Sequence, residues 1–373
     1  MVLALSVMGI YKGYGLFYFP LIFTYIVQAL LIVILIDIFL SILNNTYKFS
    51  YNYGYCLFFL IIFYIIIIIS LIYSPSQDYK YIKTLNFTIP LILYAYAPLL
   101  SKINFDRLTY PYMILLLPII FLVVSFKNSI LNIDMMNNEN QELFDYLGLG
   151  TGVSIVVILL NYFKKSIAVQ IFMLSTLLMM GARGPLIFAV LLIFFMNFRA
   201  FFNDKLFTII LPLGIMGILI TSYFDPTETV FMYGIDRMAD MDGSSNFKRL
   251  QMFQFAMFAN GDSIFNIFFG RGIGSFGISY AGEDVRAYPH NILLEIFFEL
   301  GIIGLLIFFA ILVIALEPII RGKNVFVWIF ILLFLNSLKS SSLTDHWLMF
   351  MYLGLLLNSK SRTLTYNGGK KKT

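Results

Sequence analysis

With a single cysteine, Cys56, the 373-residue chain can close no intrachain disulfide, and the sequence carries no mark of its redox compartment. Its two histidines, His290 and His346, stand apart from that cysteine, so no His/Cys zinc cluster is available and no metal or other cofactor is expected. Charge is equally sparse. Only 12% of residues are Asp, Glu, Lys or Arg, against about 25% in a typical soluble domain. With 60% hydrophobic residues and a mean hydropathy of +0.88, this composition excludes a soluble globule and predicts an integral membrane protein. A net charge of +5 would suggest a nucleic-acid partner in a soluble chain; here it reads as basic loops on one side of a bilayer, with membrane lipid as the neighbour and no nucleic acid. No cleavable signal peptide is visible, so the first apolar residues read as a short first span.

What the chain has in abundance is long apolar runs. A span needs roughly 20 such residues, and runs of suitable character lie near 1–11, 16–43, 54–73, 86–101, 109–126, 149–163, 167–182, 184–200, 205–223, 292–317, 324–339 and 346–358. The expected fold is all-α: one polytopic transmembrane domain over 1–373 with about twelve helices. Alternate loops sort the basic residues. One set, from Lys48 to the 359–373 tail, holds 14 of them; the other, with Lys12, Lys80, Lys83, Lys127, Arg183 and Lys339, holds six. The positive-inside rule makes the richer set cytoplasmic, with both termini inside.

Two long loops then face outward: an acidic, Asn-rich one at 127–148 and a large one at 224–290. Long connections without regular structure usually have a task. In the larger loop, DGSSNFKRLQMFQFAMF predicts a helix capped at Ser244, Ser245 or Asn246. Leu250, Phe253 and Met257 share one face, with Met252 and Phe255 outside it. Such a helix can lie on the membrane surface or cover the bundle.

Three outward positions stand out. Arg183 lies in GARGPL between two apolar runs, Arg249 on the loop helix, and His290 where the loop ends. Guanidinium groups bind phosphate oxygens through bidentate, charge-assisted bonds, and a neutral imidazole can accept a proton from a hydroxyl. Each also has an ordinary reading: a snorkelling interfacial arginine, a solvated helix face, and a polar cap at a helix start. Glu295 and Glu299, four residues apart, share a helix face and can orient His290, bind an arginine, or form a structural pair; Glu295 receives no specific role. His346, beside Asp345, reads as an interfacial polar residue. FGRGIGSFG has the G-x-G-x-x-G spacing of dinucleotide sites without the strand that motif requires, and reads as a flexible turn. DMDG at 240–243 departs from calcium-loop spacing.

The pattern H-N-x-x-L-x-x-x-x-E-x-G-x-x-G is present as His290, Asn291, Leu294, Glu299, Gly301 and Gly304. Upstream, Arg183-Gly184-Pro185 resembles an arginine turn, Arg249 with Phe253 and Ala256 a loop arginine with its following aromatic and alanine, and Gly270 with Gly272 a G-x-G turn. In order and spacing these resemble the O-antigen ligase and polymerase family of bacterial membrane glycosyltransferases, over about residues 170–320. The family's aromatic is usually Trp or Tyr where this chain has Phe253. The resemblance implies a GT-C-like fold with one large periplasmic loop, an inner-membrane location, and an undecaprenyl-diphosphate-linked oligosaccharide as donor. It implies catalytic roles for His290, as base toward the acceptor hydroxyl, and for Arg183 and Arg249, on the diphosphate. Asn291, Glu299, Arg271 and Tyr288 are assigned to substrate binding. No nucleotide sugar or metal is implied, and a chain-length regulator is a possible partner. The minimal motif set and Ile/Phe-rich composition favour the polymerase branch over the ligase. A lipid-linked oligosaccharide flippase is the rival of another class, disfavoured because the charge is expected at the outer face and in one loop, with Asp37 alone read as buried within a span.

Overall fold

The computed structural model describes residues 20–100, 105–114, 116, 146–179, 182–198, 244–321, 324–340 and 342–358. All regular structure among them is helical. In chain order α1 spans Pro20–Leu43, α2 Tyr51–Ser70, α3 Tyr79–Leu100, α4 Tyr146–Tyr162, α5 Ile167–Met179, α6 Arg183–Met196, α7 Ser244–Phe258, α8 Ile264–Phe269, α9 Ser275–Ala281, α10 Ile292–Arg321, α11 Val325–Ser340 and α12 Trp347–Asn358. Residues 105–114 are also helical. Tyr25–Leu43, Tyr51–Ser70 and Ile292–Arg321 are long and apolar enough to cross a membrane, while α4, α5, α6, α11 and α12 are apolar but shorter. The expected runs at 1–11 and 205–223, most of the run at 109–126, the loop at 127–145, the first part of the large loop and the tail lie outside the described residues. The count of twelve spans therefore rests on hydropathy.

The core is built around α12, where every side chain from Leu348 to Asn358 is buried. It lies against α3 at a distance that only a glycine permits: a Cβ on Gly354 would stand 2.6 Å from Cβ of Ala97. Next to this contact, Tyr53 and Tyr94 stack at 4.6 Å, and each hydroxyl donates to the other's backbone oxygen, at 3.0 and 2.9 Å. Two phenols are thus buried with every polar atom paired, as an apolar interior requires. Helix α10 packs along α2, and α4, α5, α6 and α11 form the neighbouring group.

Cross-links sort the helix ends. At one end Ser50 caps α2 and donates to the Leu357 carbonyl at 2.7 Å, and Asn52 bonds Glu317. At the other, Ser74 donates to Ile273 O at 2.7 Å, and Arg286 pairs with Asp345 at 2.6 Å. Asp284 takes Ser76 Oγ at 2.6 Å and the amides of Gln77 and Asp78 at 2.8 Å each. A residue of the large loop therefore supplies the first turn of α3 with its missing acceptors. Burial works against the Asp284 charge, but these bonds outweigh it and hold the carboxyl below the usual range.

Two expectations need correction. Hydropathy starts a span at 86 and leaves Lys80 and Lys83 in a loop, whereas α3 begins at Tyr79 and Lys83 is fully buried. Its charge is neutralised by carboxylates distant in sequence, so burial does not cost what an unpaired ammonium would. The loop helix α7 also packs on a different face. Met252, Phe255, Ala256 and, in the turn just past the helix, Ala259 meet Phe276 and Phe298, while Leu250 and Met257 are each 53% exposed. Both faces are apolar, and small Ala256 and Ala259 allow the close approach that the bulkier stripe does not.

Candidate functional site

The stretch at 288–304 is organised by a break in α10. Gly301 adopts φ 66° and ψ −165°, which interrupts the helical ladder and leaves the carbonyls of Phe297, Phe298 and Glu299 to find other donors. The large loop supplies them. Arg271 N and Gly272 N donate to Phe298 O and Glu299 O at 2.9 Å each, and Asn260 Nδ2 to Phe297 O at 2.8 Å and Phe298 O at 3.2 Å. The contact is too close for any side chain at Gly270 or Gly301, where a Cβ would come within 2.3 Å of Glu299 or Phe268 backbone. The glycine-rich turn is thus a docking surface for the broken helix rather than a flexible connection.

On the His290 side of the break lies a buried ionic cluster. Lys83 Nζ reaches Glu295 Oε1 at 2.5 Å and both Glu299 oxygens at 2.7 Å, with all three side chains at most 1% exposed. Glu295 also accepts from Ser342 Oγ and Leu343 N, both at 2.7 Å. Glu295, left without a role by sequence reasoning, therefore joins α10 to α3 and to the turn before α12. Breaking such a cluster on one side leaves an uncompensated charge.

Above it the polar groups are differently placed. His290 lies two residues before the start of α10 and has φ 56°, a left-handed conformation uncommon for a residue other than glycine. Its ring meets Tyr288 at 4.6 Å, and Nδ1 has no hydrogen-bond partner among the described residues. Burial, reinforced by the charges of Arg249 and Arg286, pushes its pKa down to about 4, so the imidazole is neutral at pH 7. Asn291 caps α10: Oδ1 accepts from Leu293 N at 2.9 Å and Leu294 N at 3.1 Å, while Nδ2 donates to Leu338 O at 2.8 Å.

Arg249 lies on α7 beside an open cavity of about 450 Å³, lined also by Phe188, Leu250, Phe253, Leu335, Leu338 and Lys339. It has no ion pair among the described residues. Arg183 is the first residue of α6, whose next residue, Gly184, lies under the Lys339 side chain: a Cβ there would be 3.2 Å from Lys339 Cδ. The residue after Arg183 thus lies beside Lys339, which lines the cavity together with Arg249, and Arg249 bears electrostatically on His290. Arg271 is turned elsewhere, to Ala259 O at 2.6 Å and Asp262 Oδ2 at 2.5 Å. Glu299 is committed to Lys83.

Sequence reasoning passed over Lys339, Arg286 and Lys83. Arg286 stacks over Tyr288 at 5.6 Å and pairs with Asp345, which precedes His346. His346 is 6% exposed, its Nε2 has no partner among the described residues, and burial, partly offset by Asp345, lowers its pKa to about 4. None of these three cations has a local sequence signal; each acquires meaning only from helices far away in the chain.

In comparison with known families, residues 168–309 match the family model described as O-antigen ligase. The matched region runs from α5 through the break in α10 and includes Arg183, Arg249, His290, Glu295 and Glu299. No curated protein matches the chain.

Proposed function

We propose, from the match of residues 168–309 to the O-antigen ligase family model, that the chain is a membrane glycosyltransferase that moves a glycan from a polyprenyl-diphosphate carrier to an acceptor hydroxyl. The observation that carries this reading is the juxtaposition of a cation-edged apolar cavity and a neutral imidazole. An apolar lining suits a lipid tail, and Arg249 with Lys339 suits a diphosphate. His290, uncharged at pH 7, removes the acceptor's proton as its oxygen bonds the anomeric carbon. The bond from that carbon to phosphate breaks, and the diphosphate leaves with its negative charge held by Arg249, Lys339 and the Arg183 turn. Within this class we favour the polymerase, with a second carrier-linked repeat unit as acceptor, on the periplasmic face of the inner membrane. The ligase is the alternative, with a lipid A–core sugar as acceptor.

The test is the banding of surface polysaccharide in a deletion strain. Core carrying one repeat unit indicates a missing polymerase; bare core with accumulated carrier-linked chain indicates a missing ligase. Complementation with His290→Asn sharpens it. Asparagine tolerates left-handed backbone and cannot act as a base. Normal protein level with no polymer is expected, and wild-type banding would overturn the role of His290.

A further inference from the structure

Helix α8 is six residues long, and four of them are large apolar side chains left uncovered. Ile264 is 76% exposed, Phe265 48%, Phe268 47% and Phe269 44%. Hydrocarbon so concentrated on a turn and a half of helix marks a contact surface rather than a water-facing one. Its polar flank is used internally, where Asn266 Nδ2 bonds Asp262 Oδ1 at 2.9 Å and Asp262 pairs with Arg271.

The height of α8 in the molecule is fixed from two sides. Tyr73, just past the end of α2, donates to Phe269 O at 2.7 Å and sets its ring 5.3 Å from that of Phe265. Phe268 O abuts Gly301 at the break in α10. Helix α2 covers 20 residues from the Asn52–Glu317 end, a rise of roughly 30 Å, which is the thickness of a bilayer's hydrocarbon core. Counting back along α10 from Glu317 to Gly301 gives roughly 24 Å. The first ruler puts α8 at the boundary between hydrocarbon and headgroups, and the second within about 6 Å of it on the hydrocarbon side. The exposed stripe of α10, Leu306, Phe309, Val313, Leu316 and Ile320, ends close to the same level, as does Ile72, 86% exposed, beyond α2. The bare face of α8 continues a lipid-facing belt.

We propose that α8 is a membrane foot of the large loop, with its Ile/Phe face immersed in the acyl chains at the edge of the leaflet on the His290 side. The occupant of this face is lipid. The foot sits immediately before the Gly270–Gly272 turn that satisfies the broken helix, so it sets the depth of that turn relative to the bilayer. This inference stands apart from the transfer reading, because it concerns placement and not chemistry.

Site-directed spin labelling tests it. The one native thiol, Cys56, is buried in α2 and is removed as Cys56→Ala. Nitroxides at Ile264→Cys and Phe269→Cys, in liposomes, are then compared for collision with oxygen and with a water-soluble nickel chelate. Val313→Cys on the exposed stripe and Glu283→Cys on the exposed loop serve as references. The oxygen-to-nickel ratio at 264 and 269 is expected to exceed that at 283 several-fold and to approach that at 313. Nickel access equal to that at 283 would place α8 in water and overturn the proposal. Shielding from both reagents would mean that protein, whether another segment or a second copy, covers the face, and would overturn it equally. Measuring both ends of α8 guards against a local fault at either one.

Discussion

Two groups of ionisable side chains lie a turn or two apart at the start of α10, and they are satisfied in opposite ways. In the lower group Lys83, Glu295 and Glu299 are buried with donors for their oxygens: an ammonium, a hydroxyl and backbone amides. In the upper group His290 Nδ1 has no partner and Arg249 no counter-ion among the described residues, yet both border a cavity or a strained turn. Completed networks hold structure together, and incomplete ones mark where a ligand's charge and protons can be accommodated. The same contrast separates two arginines of one loop, Arg271 tied to Asp262 and Arg249 facing open space.

The largest effect is expected from breaking the completed group. Lys83→Met leaves two buried carboxylates facing each other, at a cost of about 3–5 kcal/mol, so little protein should accumulate in the membrane. Adding Glu295→Gln and Glu299→Gln removes both charges and should restore abundance; failure of this rescue would show that charge balance is not what the cluster provides. The arginine pair comes next. Arg249→Gln should leave the detergent melting temperature nearly unchanged while lowering transfer roughly 100-fold or more, as loss of a charge-stabilising donor does. Arg271→Gln should do the reverse, lowering Tm while the residual folded protein keeps its turnover. Equal behaviour of the two would erase the distinction.

The smallest effect concerns pH. His290 and His346 have pKa values near 4 against an ordinary 6.5. Between these values the unfolded chain binds more protons than the folded one, so this stability is complete above 6.5 and is lost as pH falls toward 4. Tm should decline across that window and decline less in His290→Asn. Transfer per folded molecule should persist at pH 5.5, where an ordinary imidazole is mostly protonated; an activity limb near 6.5 would contradict a desolvated base.

The helical class, the helices from α10 onward and the His-Asn…Glu-x-Gly junction were legible because periodicity and glycine placement are local properties. The partners of Glu295 were not, since Lys83 lies 212 residues away and a charge cancelled at that distance still counts as polar in any hydropathy window. For the same reason the start of α3 was read seven residues late, at 86 rather than 79. The face of α7 was missed for another reason. Amphipathic reasoning assumes that one side meets water, and in this helix Phe247, Leu250, Met257 and Phe258 remain exposed on the side away from α10. Residue size, with two alanines on the packed face, was the better guide.

The break at Gly301 also bears on traffic. Four hydrogen bonds seal the loop to the freed carbonyls of α10, and parting that seam would strip backbone acceptors where little water is available to replace the lost donors. The α10 flank is therefore a closed wall. Among the described residues, one glycine thus decides where the large loop stays fastened to the helices below it.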